Sequence, residues 1–468
     1  MKRKISLSFV LFFFTVLLAF AQQNGGHKGH DHSGHNHSGH NHSGHNHSGH
    51  DHSGHDHSGH DHSGHNHGNK GKGASHDGHG HKAGAGHANA CGYVHDNSVF
   101  NPGKVAFHHI SDQNIYSIGP WHFPLPCIPY STDKGLDFFS SSKFAADTHG
   151  TSTKAYKRYV LYEGAMRRIK DSSFPQEQVD IGQHNVFTTS RKDAKGKERA
   201  VVNVCYNGKS YECDNKSTAD FGLFGGGFTS FYDFSITKNV FTMILIAFLL
   251  GLLFISIAKK YKKNPKAAPS GAQGFMETMF VFIQDEVCKP FLGPKWEKYT
   301  PFLMALFFFI LGLNLFGQVP FFGGSNVTGN LAVTAVLAIF AFFVVNFSGN
   351  GDYWKHIFWM PGIPAWVKTV VTPVEFAGVF IKPITLMLRL FGNITAGHMV
   401  IVIFVGLIFI FGENGANPTA AWGTSIASMA LTLFMMAIEL LVAFIQAFVF
   451  TILTASYIGA STEEHHAH

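Results

Sequence analysis

Ile384-Thr385-Leu386-Met387-Leu388-Arg389-Leu390-Phe391-Gly392-Asn393 sets one arginine in the middle of a long apolar stretch. On translocon scales an Arg at the membrane midplane is unfavourable by roughly 2.5–3.5 kcal/mol, so such a residue is functional or paired. Apolar sequence runs well past it on both sides, which disfavours a side chain that snorkels to an interface. The stretch that carries it, residues 373–411, is weakly polar and far longer than the ~20 residues that cross ~30 Å of hydrocarbon. On this segment alone, a structural ion pair and a functional cation both stay open.

Further apolar segments lie on either side. Residues 239–258 have spanning length and run into Lys259, Lys260, Lys262, Lys263 and Lys266, a stop-transfer cluster that the positive-inside rule puts in the cytoplasm. Residues 271–288 are amphipathic and read as lying along the inner surface. Residues 299–316 cross outward and 331–347 return, joined by a loop (323–330) without charge. The next loop holds Asp352, Lys355 and Lys368 and reads as cytoplasmic. After the Arg389 helix, a loop with Glu413 as its only charge leads to a last long helix, 422–458. The expected fold is therefore mainly α. It is a polytopic membrane protein with about five membrane helices, two of them long and tilted, and with the C-terminus in the cytoplasm. A small exported α+β domain and a disordered His-rich tract are added at the N-terminal side.

Whole-chain averages hide this division. The 468 residues are 45% hydrophobic, an ordinary value, but only 14% charged, against roughly 25% in a soluble domain. Much of the phenylalanine, 47 residues, lies in the long apolar runs. Net charge is +6 with His neutral, and the basic residues are spread between loops, which gives no nucleic-acid surface.

Residues 1–21 read as a signal peptide. Lys2, Arg3 and Lys4 precede an apolar run, and Ala19-Phe20-Ala21 fits a small-x-small cleavage site; an uncleaved N-terminal anchor is the alternative. Residues 22–90 form the His/Gly-rich tract, a near-exact five-residue repeat from 25 to 68. With almost no apolar residues it cannot offset the entropy of ordering. Its imidazoles, beginning with His27, His30, His32, His35 and His37, give nonspecific affinity for Zn, Cu or Ni. A solvated repeat with no dedicated role is the other reading. No cofactor is required.

Residues 91–234 read as the exported (periplasmic) domain, and 235–468 as the membrane domain. Short strands are expected at 105–110, 159–162 and 200–204, and a short helix at 164–170. His108 and His109 read as structural or surface residues. An oxidising compartment lets Cys91, Cys127, Cys205 and Cys213 pair, and the short loop closed by Cys205 and Cys213 favours that bridge over the alternatives.

The remaining intramembrane polar residues carry the chemistry. At 100° per residue, Glu375 and Lys382 fall within about 40° of Arg389, at ~21 and ~10 Å along the axis, and Asn393 shares that broad face. His398 lies about 180° round and ~13 Å along, so it should face another element. On the last helix Glu439 and Gln446, seven residues apart, share one face. Intramembrane Glu, His and Arg together suggest a proton relay; a bundle held by buried polar pairs is the plainer reading.

Lys382-Pro383, Leu388-Arg389-Leu390-Phe391-Gly392-Asn393 and Ala396-Gly397-His398 resemble the signature of subunit a of F-type ATP synthases. Gln446-Ala447-Phe448-Val449-Phe450 with Leu453-Thr454 and Tyr457 resembles the last helix of that family. Asn314, Pro320 and the tail from Ser461 to His465 also fit. The resemblance covers roughly 234–468. It implies the stator subunit of the Fo proton channel, not an enzyme by itself, in the bacterial inner membrane. Expected partners are the c-ring of subunit c, the subunit b stator stalk, the remaining synthase subunits and the lipid bilayer.

By that resemblance Arg389 is the essential Arg facing the ring carboxylate. Asn393, His398, Glu439, Gln446, Glu375 and Lys382 then line the proton path. Many members carry an acid at the position of His398 and His at that of Glu439; the two are exchanged here. Gly317 stands where some members have an acid. A His-rich divalent-metal transporter and an anchored metal-binding exported protein are the rival readings. Arg389 opposes the first, and an anchor needs neither five helices nor a buried Arg.

Overall fold

The computed structural model describes residues 89–93, 111–118, 121–147, 150–192, 198–217, 229–265, 268–319, 325–360, 364–413 and 416–463. The leader, the His tract up to residue 88, the strand expected at 105–110, His108, His109, Lys266, Pro320 and the tail from Glu464 lie outside the described residues.

The N-terminal described part is built of short antiparallel strands. They include β1 (Ile115–Ile118) with β2 (Trp121–Pro124), β3 (Pro129–Ser131), and β4 (Tyr159–Tyr162) with β5 (Ala165–Arg168). Then come β6 (Val186–Lys192), β7 (Glu198–Tyr206) and β8 (Lys209–Glu212) in one sheet, and β9 (Phe231–Asp233) beside β3. β4 is buried on both faces. Tyr159 and Leu161 join one cluster with Phe144 and Phe231, while Val160 joins another with Ile169, Phe174 and Val204. This is why its sequence is a continuous apolar run rather than an alternation. Strands expected at 159–162 and 200–204 are present as β4 and within β7.

Two local expectations are overturned. The helix expected at 164–170 is strand β5. Glu163 and Gly164, at φ +50° and +77°, form a two-residue turn with both φ positive, which matches the right-handed twist of a hairpin and reverses the chain at once. The disulfide joins Cys91 to Cys205, not Cys205 to Cys213. In the β7–β8 hairpin Cys205 pairs with Ser210, whereas the Cys213 N–H donates to the Val202 carbonyl. Cys213 is therefore opposite a residue three places from Cys205, ~10 Å along the strand and on the other face of the pleat. Cys127, Cys213 and Cys288 are free and buried.

The described residues that follow include the helices α1 (Lys238–Lys263), α2 (Ala272–Ile283), α3 (Trp296–Gln318), α4 (Leu331–Ser348), α5 (Gly351–Phe358), α6 (Ala365–Phe411) and α7 (Pro418–Thr462), with one further helical turn at Lys289–Leu292 before α3. Among the described residues five stretches are long and apolar enough to span a bilayer; one is α2 to α3 taken together, through a π turn at Gln284–Cys288. Leu303, Phe307 and Ile310 of α3, Val333 and Leu337 of α4, Leu386 and Leu390 of α6, and Phe450 and Ile458 of α7 share one core. Gly459 lets α7 approach the turn at Lys289–Leu292, because a Cβ there would lie 2.0 Å from the Phe291 carbonyl oxygen.

The strand region is tied to the start of α1. Asp112 Oδ1 accepts from the Asn239 N–H at 3.1 Å, and the Lys238 N–H donates to the Gln113 carbonyl at 2.8 Å. Both amides belong to the first helical turn, which has no internal acceptors, and an anion there suits the helix dipole. Burial pushes the Asp112 carboxyl up, against the lowering charge of Lys216.

Candidate functional site

The long hairpin of α6 and α7 holds Arg389 and every residue of the expected proton path, in three groups, whereas His27, His30, His32, His35 and His37 lie outside the described residues. The first is a buried pair. His398 Nδ1 of α6 lies 3.0 Å from Glu439 Oε1 of α7; the Glu side chain is 4% exposed. Oε1 has no aligned hydrogen-bond donor among the described residues, so the two side chains approach closely without hydrogen-bond geometry. The half-turn separation of His398 from Arg389 thus puts the imidazole against a neighbouring helix, as expected.

Gly397 makes room for the carboxylate. A Cβ at that position would meet Glu439 Oε1 at 3.1 Å and Cδ at 3.2 Å. The backbone beneath the pair is fixed from α3. Gln318 Nε2 donates to the Glu439 carbonyl at 2.6 Å, and Asn314 Nδ2 donates to the Ala443 carbonyl at 3.1 Å. Asn314 Oδ1 in turn accepts from Thr328 Oγ1 at 2.7 Å, and Thr395 Oγ1 of α6 donates to the Gly329 carbonyl. The loop before α4 is thereby tied to both long helices. Gln446 is buried on α7.

The second group is Arg389 with Asn393. Both are exposed on α6, on the side that also presents Ile381, Ile384 and Leu388. Among the described residues Arg389 has no hydrogen-bond, ion-pair or ring partner. A structural ion pair, one of the two readings of the sequence, is not formed among the described residues.

The third group lies toward the start of α6. Lys382 Nζ sits 5.3 Å from the ring centroid of Tyr457 on α7. A small cavity there is lined by Lys382, Tyr457, Asn346 and Tyr353. Burial, and then the charge of Glu375, push the Tyr353 phenol up. The single stripe expected from helical periodicity is therefore divided. Lys382 turns toward α7, while Arg389 and Asn393 stay on the open side.

Sequence reasoning missed Gln318, Thr328, Thr395 and the steric role of Gly397. The first three hold backbone carbonyls or other amides, and only their polarity inside or beside apolar helices signalled them. Gly317 has no room for a side chain, since a Cβ there would lie 2.7 Å from the Ser325 carbonyl oxygen. Among the described residues no group of three His, Cys, Asp or Glu could hold a metal ion.

Five stretches of membrane-spanning length among the described residues, two of them in a hairpin of helices twice the length of a simple span, define a polytopic membrane protein. The family model "ATP synthase A chain" matches residues 240–459. A second model, a domain of unknown function (DUF8433), matches residues 105–219. ATP synthase subunit a of Chloroherpeton thalassium is 40% identical over 242 residues, which cover 50% of this chain and 69% of the relative. Its counterparts in Chlorobium phaeobacteroides (38% over 244 residues, 50% of this chain and 68% of the relative) and Anaeromyxobacter dehalogenans (36% over 274 residues, 56% and 66%) are similar. This chain belongs to the ATP synthase subunit a family.

Proposed function

We propose that the chain is the stator subunit of an Fo proton channel in a bacterial inner membrane. The observation that carries this reading is the unpaired Arg389 on the open face of α6, half a turn from a buried His398–Glu439 pair. A cation with no partner among the described residues, exposed within an apolar helix, suits an anion supplied by another subunit. The anion is a carboxylate on a rotating ring of subunit c. Subunit b and the remaining synthase subunits complete the assembly.

Two half-channels reach the ring from opposite sides. A proton enters from outside past Glu439, His398 and Asn393, with Gln446 on the same helix face as Glu439, and neutralises a ring carboxylate. The neutral site turns into lipid, where an ionised one would carry a large desolvation cost. After most of a turn it meets Arg389, whose charge favours the ionised carboxylate and releases the proton. The proton leaves past Lys382 and Glu375. Arg389 also opposes a direct leak, because a fixed cation repels a proton in transit. Each charge moved across 100 mV gains about 2.3 kcal/mol. On this reading residues 91–234 are exported and the chain ends in the cytoplasm.

Purifying the intact assembly from membranes and cross-linking through a cysteine placed at Leu388 or Asn393 tests the reading. The expected adduct joins this chain to the small, carboxylate-bearing ring subunit. Adducts to lipid-facing stalk helices alone, or purification without synthase subunits, would overturn it.

A further inference from the structure

The strand region presents aromatic side chains that its own packing leaves uncovered. Trp121 is 69% exposed and Phe123 48%. Both belong to β2, whose register with β1 pairs Phe123 with Tyr116 and Trp121 with Ile118. Cross-strand partners share a face of the pleat, so Tyr116, Phe123 and Trp121 lie on one side of the hairpin.

Tyr116 shows where that side points. It is 3% exposed, and its ring lies 5.1 Å from that of Phe241 in the first turns of α1. The chain leading into the hairpin contacts the helix slightly earlier, through Asp112 to Asn239 and Gln113 to Lys238. Residues 112, 113 and 116 therefore all meet α1 within its first turn, at Asn239, Lys238 and Phe241. Phe123 is the cross-strand neighbour of Tyr116, and Trp121 lies two residues further along β2 on the same face. Further along α1 the apolar side chains of Phe248, Leu249 and Leu252 are themselves exposed, as befits a helix facing lipid.

The opposite side of the hairpin is polar near the turn, while at its base Ile115, paired with Pro124, is buried in the core of the strand region. Ser117 pairs with His122 in the register, and Ser117 Oγ lies 2.7 Å from His122 Nδ1. The outer part of the hairpin thus carries aromatic rings on the face of Tyr116 and a hydroxyl–imidazole pair on the other face. Trp and Tyr concentrate at the headgroup level of bilayers, where an apolar ring and a polar edge are both satisfied.

We propose that the β1–β2 hairpin lies on the bilayer, with Trp121 and Phe123 inserted at the headgroup–acyl boundary of the leaflet at the N-terminal end of α1. The contact makes the strand region a rigid cap on the membrane rather than a tethered domain. Asp112 holds its base to the helix, and the two rings hold its tip to the lipid.

The test uses the full chain in phosphatidylcholine vesicles and the Trp121→Phe variant. The protein has six tryptophans, so the difference between the two emission spectra isolates Trp121. The expected difference spectrum is blue-shifted, is quenched about twofold or more by lipids brominated near the headgroup, as befits a residue in the interfacial belt, and is little affected by aqueous iodide. The double variant Trp121→Asp, Phe123→Asp alters only exposed side chains, so the Cys91–Cys205 bridge should persist while limited proteolysis within the hairpin accelerates. Quenching of Trp121 by iodide and not by brominated lipid would overturn the proposal. Iodide quenching in the vesicle-bound chain that disappears in the whole assembly would overturn it too, and would assign the face to a protein subunit.

Discussion

Helices α3 and α4 on one side, and α6 and α7 on the other, are all apolar enough to span a membrane, yet they are used differently. In the stretch that contains α3, 67% of the most apolar window is buried inside the protein, and in α4 56%; in α6 the share is 11% and in α7 28%. The first pair is scaffold. The second is a surface that carries Arg389 outward and keeps His398 and Glu439 inward. Apolarity alone does not distinguish a helix that packs on protein from one that faces lipid or a partner, because lipid tails and side-chain cores are equally dry. The position of each polar residue around the helix does.

Cavity formation should separate the two pairs most strongly. Phe307 is fully buried in α3, and Phe307→Ala should cost about 3–5 kcal/mol through lost packing and a residual void. Leu388 is 52% exposed on α6, and Leu388→Ala should change the stability of the isolated subunit by less than about 0.5 kcal/mol. Thermal unfolding in detergent checks both. Equal losses would mean that the open face is covered within the subunit.

The His398–Glu439 contact gives the next effect. His398→Glu and Glu439→His each place like groups together and should lower proton transport. The double exchange should restore a measurable part of it, because a relay needs one group of each kind. Vesicle acidification assays decide, and a double variant no better than the worse single one would show that the residues do not work as a pair. Gly397→Ala is milder. Its Cβ meets Glu439 Oε1 at 3.1 Å, so the carboxylate must shift by a few tenths of an ångström. Transport should fall a few-fold, by roughly 1 kcal/mol in barrier, with assembly unchanged on native gels.

The smallest effect concerns the strand region. Burial pushes the Cys213 thiol up to about 12. A folded group that holds its proton more tightly than the unfolded chain contributes stability below the unfolded value, about 8.5, and loses it as pH rises toward 12. Cys213 should therefore resist alkylation at pH 8 in the native protein and react on unfolding. Alkaline destabilisation should also weaken in Cys213→Ala once the stability curves are normalised at pH 7. Rapid native labelling of Cys213, at the rate of an open thiol, would contradict the burial.

Most of the membrane architecture was legible in the sequence because length and apolarity are one-dimensional quantities. α1, α4 and α7 begin and end within a few residues of the apolar runs. Arg389 and His398 were legible as opposite faces of one helix from their spacing. Less was legible where two segments had to meet. The turn at Glu163–Gly164 looked like the start of a helix, because only positive φ at both residues distinguishes it. Cys91 could not be matched to Cys205 without knowing which strand residues oppose each other. Helical periodicity put Lys382 on the Arg389 stripe, but the ring of Tyr457, on another helix, draws its ammonium away. Gly397 gave no signal, since a glycine's use here is the space it leaves for a carboxylate on α7.

Proton-driven ATP synthesis in vesicles that hold the complete assembly, with Arg389→Ala compared with the unaltered protein, tests the central claim most directly. The account predicts an intact assembly with synthesis reduced to background, and failure of Arg389→Lys as well, because a compact ammonium does not reproduce the planar fork of the guanidinium. Normal synthesis by assembled Arg389→Ala vesicles would contradict it.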